Sequence, residues 1–574
     1  MVFIVKKNIK GNEYYYLNEN KRQGGKVKTK TLAYLGKTRK QAEEKMKQFL
    51  KEHFSKNEMI AEKNPEVEIM EPYLEKKEVS IDELSNFCKR KGFIYPSSEI
   101  YGGLAGFYDY GSKGVLLKKN LEKMWLHYFL GLNENFFQIE TAEIMPEKVF
   151  LASGHLKNFT DIAAKCKKGH IERADHLLEK ILGKRFEGLD EKELFEIISK
   201  NKISCSVCGS SITYVGLINM MFPVSLGVGE STKAFLRPET AQSPYVNFKT
   251  EYEINRNKLP LGLALVGRAY RNELSPRNLL LRQRAFNQAE LQIFFNPSKI
   301  NKYPEFEKIK NYGLQVVLAD EREKGEKIIS CLDLLKKVPE FYVYYMAKVQ
   351  EFYLNVLKIP KPLFRFYELN EKEKAFYNKY HFDMEIKLSD LGWVEIGGVH
   401  YRTEHDLKGH KNISKQNLLV FDEESKEKFI PHVLELSFGL DRLIQSIITL
   451  SYYYDKGKDN IVLKLNPNLA PIKVAIFPIV KGEKYEKISK KVVNDLKKTW
   501  NVVYDQSGSI GRRYARNDEI GTPFCVTIDE LSLKQNDVTI RDRNTTRQVR
   551  IKISELKDIL SKLIDEEIDF YLLE

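Results

Sequence analysis

A chain of 574 residues is too long for one hydrophobic core and should divide into about three or four domains. Its 42% hydrophobic and 11% aromatic residues are those of a folded soluble protein, and no apolar run reaches the roughly 18 residues that cross a membrane. The net charge of +14 points to a polyanionic partner, nucleic acid before others. Six cysteines are too few for a disulfide framework in a chain this size, and the start "MVFIVKKNIKGNEYYY" has no cleavable signal pattern, so a reducing cytoplasm is expected.

Residues 1–60 hold 15 Lys and Arg against 6 Asp and Glu, so this tenth of the chain carries +9 of the +14. Short strands "FIVKKN", "EYYYLNENK" and "KVKTKTLAYLG", turned at Gly11-Asn12 and Gly24-Gly25, precede a helix expected over 37–54. "YYYLNENKRQGGKVKTKTLAYLGK" resembles small β-hairpin segments found near transposases and integrases. Interleaved tyrosines and lysines on such a sheet suit contact with a nucleic-acid backbone. Residues 61–78 are polar and aperiodic and read as a linker.

A mixed region follows over 79–465. Helical patterns such as "SIDELSNFCKRKG" (80–92) and "LLKKNLEKMWLHYFL" (116–130) alternate with strand-like runs "LPLGLALVGRAYRNE" (259–273) and "RQRAFNQAELQIFFN" (282–296). The two runs flank a loop and not a crossover helix, so they should pair antiparallel. Two insertions interrupt the region, about 157–218 and a lysine-rich 299–380, the latter expected as a surface subdomain. The first contains "CKKGH" (166–170) and "CSVC" (205–208). That is one Cys-x₃-His and one Cys-x₂-Cys, so Cys166, His170, Cys205 and Cys208 suit a structural Zn²⁺. Cys88, Cys331 and Cys525 have no partners at ligand spacing. Residues 466–574 read as a small α/β domain with a mostly parallel core.

Alternation along "AYRNE" and "RQRAFNQAE" sets Arg271 with Glu273, and Arg282, Arg284 and Phe286 with Gln288 and Glu290. A face with arginines, an aromatic ring and carboxylates is too costly for a dry core and suits a nucleotide site.

These residues, in this order, resemble the class II aminoacyl-tRNA synthetases. "ETAEIMPEKVF" with Pro146 is similar to their motif 1, the dimer-interface element. Arg271-x-Glu273 with Arg282 and Phe286 is similar to motif 2, and "ELSFGLDRLIQSI" (435–447) with Arg442 to motif 3. "YGGLAGFYDYGSKG", "ASGHLKNFTD", "RADHLL", "FLRPETAQ" and "SGSIGRRYARNDEIG" are similar to the glycyl-tRNA synthetases of the single-chain dimeric type over roughly 79–574. The resemblance implies an α+β architecture: a six-stranded antiparallel catalytic sheet with flanking helices, then a C-terminal α/β anticodon-binding domain.

It also implies a homodimer that joins glycine to tRNA(Gly) at the cost of ATP with Mg²⁺. Arg271 and Arg442 would be catalytic. The ATP site would comprise Arg271, Asn272, Glu273, Arg282, Phe286, Glu395, Ile396, Gly439 and Arg442. Glycine would meet Arg173, Glu239, Glu290, Glu435 and Ser437, and the anticodon would meet Arg512, Arg513 and Arg516, placed on a loop. Two positions depart from the family pattern: Ser243-Pro244 in place of Gly and an apolar residue, and His400-Tyr401 in place of Ala-Asp. A synthetase-like nucleic-acid-binding protein without catalysis, or a class II synthetase for threonine, serine or proline, stays open. Arg271, Glu273, Phe286 and Arg442 together favour an enzyme, because a relic has no reason to keep them.

Overall fold

The computed structural model describes residues 2–9, 12–23, 26–36, 45 and 74–573, except 185, 187–188 and 228–231. It falls into two compact units, 1–74 and 75–574. The first contains an antiparallel sheet of β1 (Val2–Ile9), β2 (Asn12–Gln23) and β3 (Lys26–Gly36), with β2 in the middle. Of the expected helix over 37–54 only residue 45 is described, and most of the expected linker lies outside the described residues. The linker's end departs from expectation, since Leu74–Lys76 is a strand.

In the second unit, Ser80 caps helix α1 (Ile81–Lys91) by accepting from the Glu83 amide. Helix α2 (Ser112–Leu130) buries Leu117, Leu121, Trp125 and Phe129 completely. Their four-residue spacing forms one stripe, and each buried side chain stabilises by about 1.5–3 kcal/mol. Trp125 and Phe129 meet the ring of Phe438 at 5.7 and 5.0 Å, which seats α2 on the central sheet.

That sheet spans nine strands. In chain order they are β4 (Phe136–Gln138) and then, beyond the three insertion strands β5 (Thr160–Cys166), β6 (Ile171–Arg173) and β7 (Ile212–Asn219), β8 (Leu261–Tyr270) and β9 (Ala285–Phe295). β10 (Gly313–Val317), β11 (Lys327–Ser330), β12 (Phe364–Glu368), β13 (Tyr380–Leu388), β14 (Gly392–Thr403) and β15 (His432–Gly439) complete it. The spatial order is β11-β10-β12-β13-β14-β15-β9-β8-β4. The six from β12 to β8 are antiparallel throughout, as expected. The sheet is wider than six because β4 joins β8 in parallel, and β10 joins β12 in parallel and carries β11.

The extra strands correct the reading of 299–380 as a surface subdomain. Residues 340–351 form a helix whose Tyr342, Val343, Tyr345, Met346 and Val349 are wholly or almost wholly buried. Its lysine-rich composition belongs to the loops; its apolar residues belong to the main core.

The C-terminal region contains β16 (Val474–Pro478), β17 (Val502–Tyr504), β18 (Phe524–Ile528), β19 (Asp537–Asp542) and β20 (Gln548–Lys552), in the order β17-β16-β18-β19-β20. The first three are parallel, while β19 and β20 add antiparallel, so the core is less parallel than expected.

Candidate active site

The site occupies a cleft of about 410 Å³ on one face of the central sheet. Its floor is set by register. Across β9, β15 and β14, Glu290 stands opposite Ser437, and Ser437 opposite Gly398; in the next row of that face Gln292 stands opposite Glu435, and Glu435 opposite His400. Three strands distant in sequence thus deliver one polar patch, because side chains two apart share a face. Gly397 lets β14 and β15 approach there, since a Cβ on it would lie 2.2 Å from the Ser437 carbonyl oxygen.

Arg402 holds this patch together. It is fully buried and binds Asp406 through Nε (2.8 Å) and Nη2 (3.0 Å), Glu435 through Nη1 (3.1 Å) and Glu239 at 3.4 Å. The Tyr377 ring stacks on its guanidinium at 3.9 Å. His155 lies 3.3 Å from Glu239, and His400 hydrogen-bonds Glu435. Burial pushes the carboxyls of Glu239, Glu435 and Glu290 toward neutrality. At Glu239 the nearby His155 and Arg402 outweigh burial and hold it well below the usual range. At Glu435 Arg402 and His400 outweigh burial and hold it down to about 2. Glu290 differs. Burial, reinforced by the charges of Glu435 and Glu239, pushes it up to about 8, and Ser437 Oγ donates to it at 2.9 Å.

The motif 2 segment forms the second wall. β8 and β9 pair antiparallel from Leu261↔Phe294 to Tyr270↔Ala285, so the regular strand ends before Arg271. The Arg271 guanidinium lies between the rings of Phe159 and Phe286, at 5.3 and 5.2 Å, and Nε donates to the Pro238 carbonyl at 3.0 Å. Arg282 Nε donates to Glu273 at 2.8 Å. Arg284 corrects the alternation argument: it donates to the carbonyls of Glu273 (3.0 Å) and Ala105 (3.1 Å), away from the cleft. Residues 271–284 are loop, and period two does not hold there. Asn272 is exposed and does not line the cleft.

From the motif 3 side, β15 runs into the helix Leu440–Leu450 at Gly439. Arg442 Nε donates to the Leu281 carbonyl, and Nη1 donates to the Glu395 carbonyl and pairs with its carboxylate, each at 3.0 Å. Buried Asp441 accepts from the Asn287 amide (2.7 Å), Gln283 and Tyr110, joining the two motif segments. Glu395, Ile396 and Gly439 line the cleft between them. Asp383, raised to about 6 by burial despite His381 at 2.9 Å, lies in the same wall. At the mouth, Arg173 binds Asp161 (3.1 Å) and Asp175 (3.0 Å).

Arg173, Glu239, Arg271, Glu273, Arg282, Phe286, Glu290, Glu395, Ile396, Glu435, Ser437, Gly439 and Arg442 therefore converge on one cleft. His155 and Asp441 lie within motif segments but are not among the expected site residues; His381, Asp383 and Arg402 belong to none of the motifs, and His400 enters only as a departure from the family pattern. The alternation of His400 and Arg402 with Val399 and Tyr401 is the available signal for those two. Ser243 and Pro244 lie in the first turn of a continuous helix, Gln242–Ile254.

Two constellations lie elsewhere. Cys166 Sγ stands 3.7 Å from His170 Nδ1 and 3.8 Å from Cys208 Sγ, and Cys205 Sγ 3.8 Å from His170 Nδ1. Those three separations are close to the roughly 3.5–3.8 Å edges of a tetrahedral S₃N zinc shell, and all four ligand atoms lie within 4.8 Å of one another. Cys88, Cys331 and Cys525 are buried. The C-terminal arginines sit on a helix, Ile510–Glu519, not on the expected loop, because Ser509 caps it at the Arg512 amide. Arg512 and Arg516 are exposed. Arg513 is buried, donating to the carbonyls of Gly508 and Pro478.

Comparison with known proteins agrees with this geometry. Residues 229–450 match the tRNA synthetase class II core domain (G, H, P, S and T), and 473–563 match an anticodon binding domain. Prolyl-tRNA synthetase from Cryptosporidium parvum superposes with a TM-score of 0.52 at 15% identity, over 85% of this chain and 76% of that one. The RNA binding domain of threonyl-tRNA synthetase from the same organism gives 0.53 at 17%, over 83% and 98%. Fold and cleft together define a class II aminoacyl-tRNA synthetase. Glycine–tRNA ligases from Thermococcus sibiricus and Pyrococcus furiosus are each 36% identical to this chain over 84% of it and 98% of their own length. The ligase of Methanothrix thermoacetophila is 33% identical over 85% and 98%. The chain belongs to the glycine–tRNA ligase family, which activates glycine with ATP and transfers it to tRNA. Residues 3–64 match the N-terminal domain of IS1634 family transposases. Among the described residues no helix is long and apolar enough to cross a membrane.

Proposed function

We propose that the cleft binds ATP along Arg271, Phe286 and Arg442 and glycine at Glu290, and that it catalyses both half-reactions there. The glycine carboxylate attacks the α-phosphorus and pyrophosphate leaves; the 3′-terminal ribose hydroxyl of tRNA(Gly) then attacks the acyl carbon and AMP leaves. Charge accumulates on the α-phosphate, so fixed cations matter more than a general base. Arg271 holds the α-phosphate and the glycine carboxylate, Arg282 and Arg442 the β,γ side. Phe286 offers its face to adenine, with Asn272 and Glu273 ordering the loop. Glu395 and Asp383 are the carboxylates suited to Mg²⁺, which neutralises phosphate charge when bound.

One observation carries the glycine assignment. Of the three patch carboxyls that line the cleft, Glu239 and Glu435 already face a cation, and among the described residues Glu290 alone has none in ion-pair contact. The ammonium of glycine supplies it, Ser437 orients Glu290, and Arg173 stands at the mouth. Amino-acid-dependent ATP–pyrophosphate exchange tests the reading: it should be strongest with glycine and lost in Glu290→Ala.

Cys166, His170, Cys205 and Cys208 hold a structural Zn²⁺, a site with no open position and hence no catalytic one. Elemental analysis should give about one zinc per chain, lost on Cys205→Ser. The chain works as a cytoplasmic homodimer, supported by the strand Ile144–Pro146, which lies at the edge of a three-stranded sheet with Ile144 exposed. Arg512 and Arg516 face the anticodon. The basic sheet β1–β3 adds backbone contacts to tRNA, since β2–β3 register puts Lys21 opposite Lys28 at the end where Lys26 and Lys30 also lie.

A further inference from the structure

We propose that the Cys₃His cluster is a tether that fixes Arg173 at the mouth of the active cleft, so that metal occupancy and substrate binding are thermodynamically linked. The inference rests on the zinc reading above. β6 begins directly after His170, is three residues long, and ends at Arg173. It is an edge strand, paired only with β5, whose last residue is Cys166. A strand this short, with one neighbour, has little to hold it in place. Two of the four ligands sit at the base of this hairpin, where the Cys166 amide donates to the His170 carbonyl at 2.9 Å.

The other two ligands come from the turn at 205–208, and β6 is also bound to that turn. Glu172 Oε1 accepts from the Ser206 amide at 3.0 Å, and Ser206 Oγ donates to Oε2. The residue immediately before Arg173 is thus clamped to the far half of the metal shell.

On the other side, Arg173 leads into the cleft. Its guanidinium bridges Asp161 and Asp175. Three residues later His176 lies against Arg282 Nη1 at 3.0 Å, and Arg282 is paired with Glu273. A continuous set of contacts therefore runs from the metal ligands to the ATP side of the cleft. Loss of the metal removes the ligand bonds that join the two turns, leaving β6 with its three pairings to β5, the Glu172–Ser206 contact and the Arg173 ion pairs. A closed zinc site contributes its binding free energy to whatever conformation it closes.

Linkage makes the coupling reciprocal: if metal places Arg173 for substrates, substrates must retain the metal. The test uses the full-length zinc-loaded protein with excess Mg²⁺ and a zinc-selective chromophoric chelator. Release of zinc should slow at least threefold when glycine and a non-hydrolysable ATP analogue are saturating. Glu172→Ala should retain about one zinc per chain, lose the ligand effect on release, and raise the KM for glycine several-fold with kcat for exchange nearly unchanged. A variant that merely unfolds the insertion would instead lose zinc. Zinc bound but released at one rate with and without ligands overturns the tether while leaving the metal site intact. Protein purified without zinc, and taking up none, overturns the metal site and the tether with it.

Discussion

Arg271 is held by the Pro238 carbonyl and the rings of Phe159 and Phe286, and Arg442 by the carbonyls of Leu281 and Glu395, so their guanidinium groups enter the cleft already oriented. Replacing either by alanine should lower kcat/KM for pyrophosphate exchange by about 3 kcal/mol or more with the fold intact, measured alongside an unchanged melting curve. Glu290 yields a pH signature. Its raised pKa keeps it protonated in the empty site at pH 7, and the ammonium of glycine favours its ionised form, so binding releases a proton. The KM for glycine should therefore fall as pH rises from about 6 to 8. Glu290→Gln should flatten that dependence and leave the KM for ATP alone; a slope that persists assigns it to another group. The arginines were legible in the sequence because motif order and spacing single them out. Arg402 was not, because its importance lies in four partners that only the fold assembles, and Arg284 misled because alternation was carried past the end of a strand.

At the level of elements, the two misread segments failed for one reason. Charged residues at their ends or on one side hid a buried face. Over 299–380 the lysines flank strands and a helix whose interior is aromatic and apolar. In "SGSIGRRYARNDEIG" the arginines were expected on a loop, yet Ser509 starts a helix that turns Arg513 inward and Arg512 and Arg516 outward. That division is testable. Arg513→Ala strands buried carbonyls and should cost about 1–3 kcal/mol of stability by denaturant unfolding. Arg516→Ala should spare stability and glycine-dependent exchange but weaken tRNA charging. Equal loss in both assays would make Arg516 structural.

For the molecule as a whole, the two compact units divide the charge unevenly, with +9 of the +14 in residues 1–60. If that module tracks the phosphate backbone, deleting it should raise the KM for tRNA and reduce its salt dependence by roughly 0.7–0.9 in log–log slope per lost phosphate contact. Kinetic constants for glycine and ATP should not move. An unaltered slope would leave the sheet without a role in tRNA binding. The architecture of 79–574 was legible in outline, since its motifs occur in order. The sheet's true width was not, because β4 joins by a parallel pairing and β10 and β11 come from a segment whose composition looked superficial.

The register of β9, β14 and β15 also fixes when this enzyme comes into being. Glu290 and Ser437 become neighbours only when β9 and β15, more than a hundred residues apart in sequence, have paired. A nascent chain that stops short of β15 has made every arginine of motif 2 and still has no place to put glycine. Pairings so distant in sequence close slowly, and until they do the central edges of the sheet stand open to other chains. During its own synthesis the protein must be most vulnerable to misassembly over the stretch between the completion of β9 and the emergence of β15, well over a hundred residues of translation. Pulse-labelled chains arrested in that interval should be protease-sensitive across β9, and chains extended past Gly439 should not.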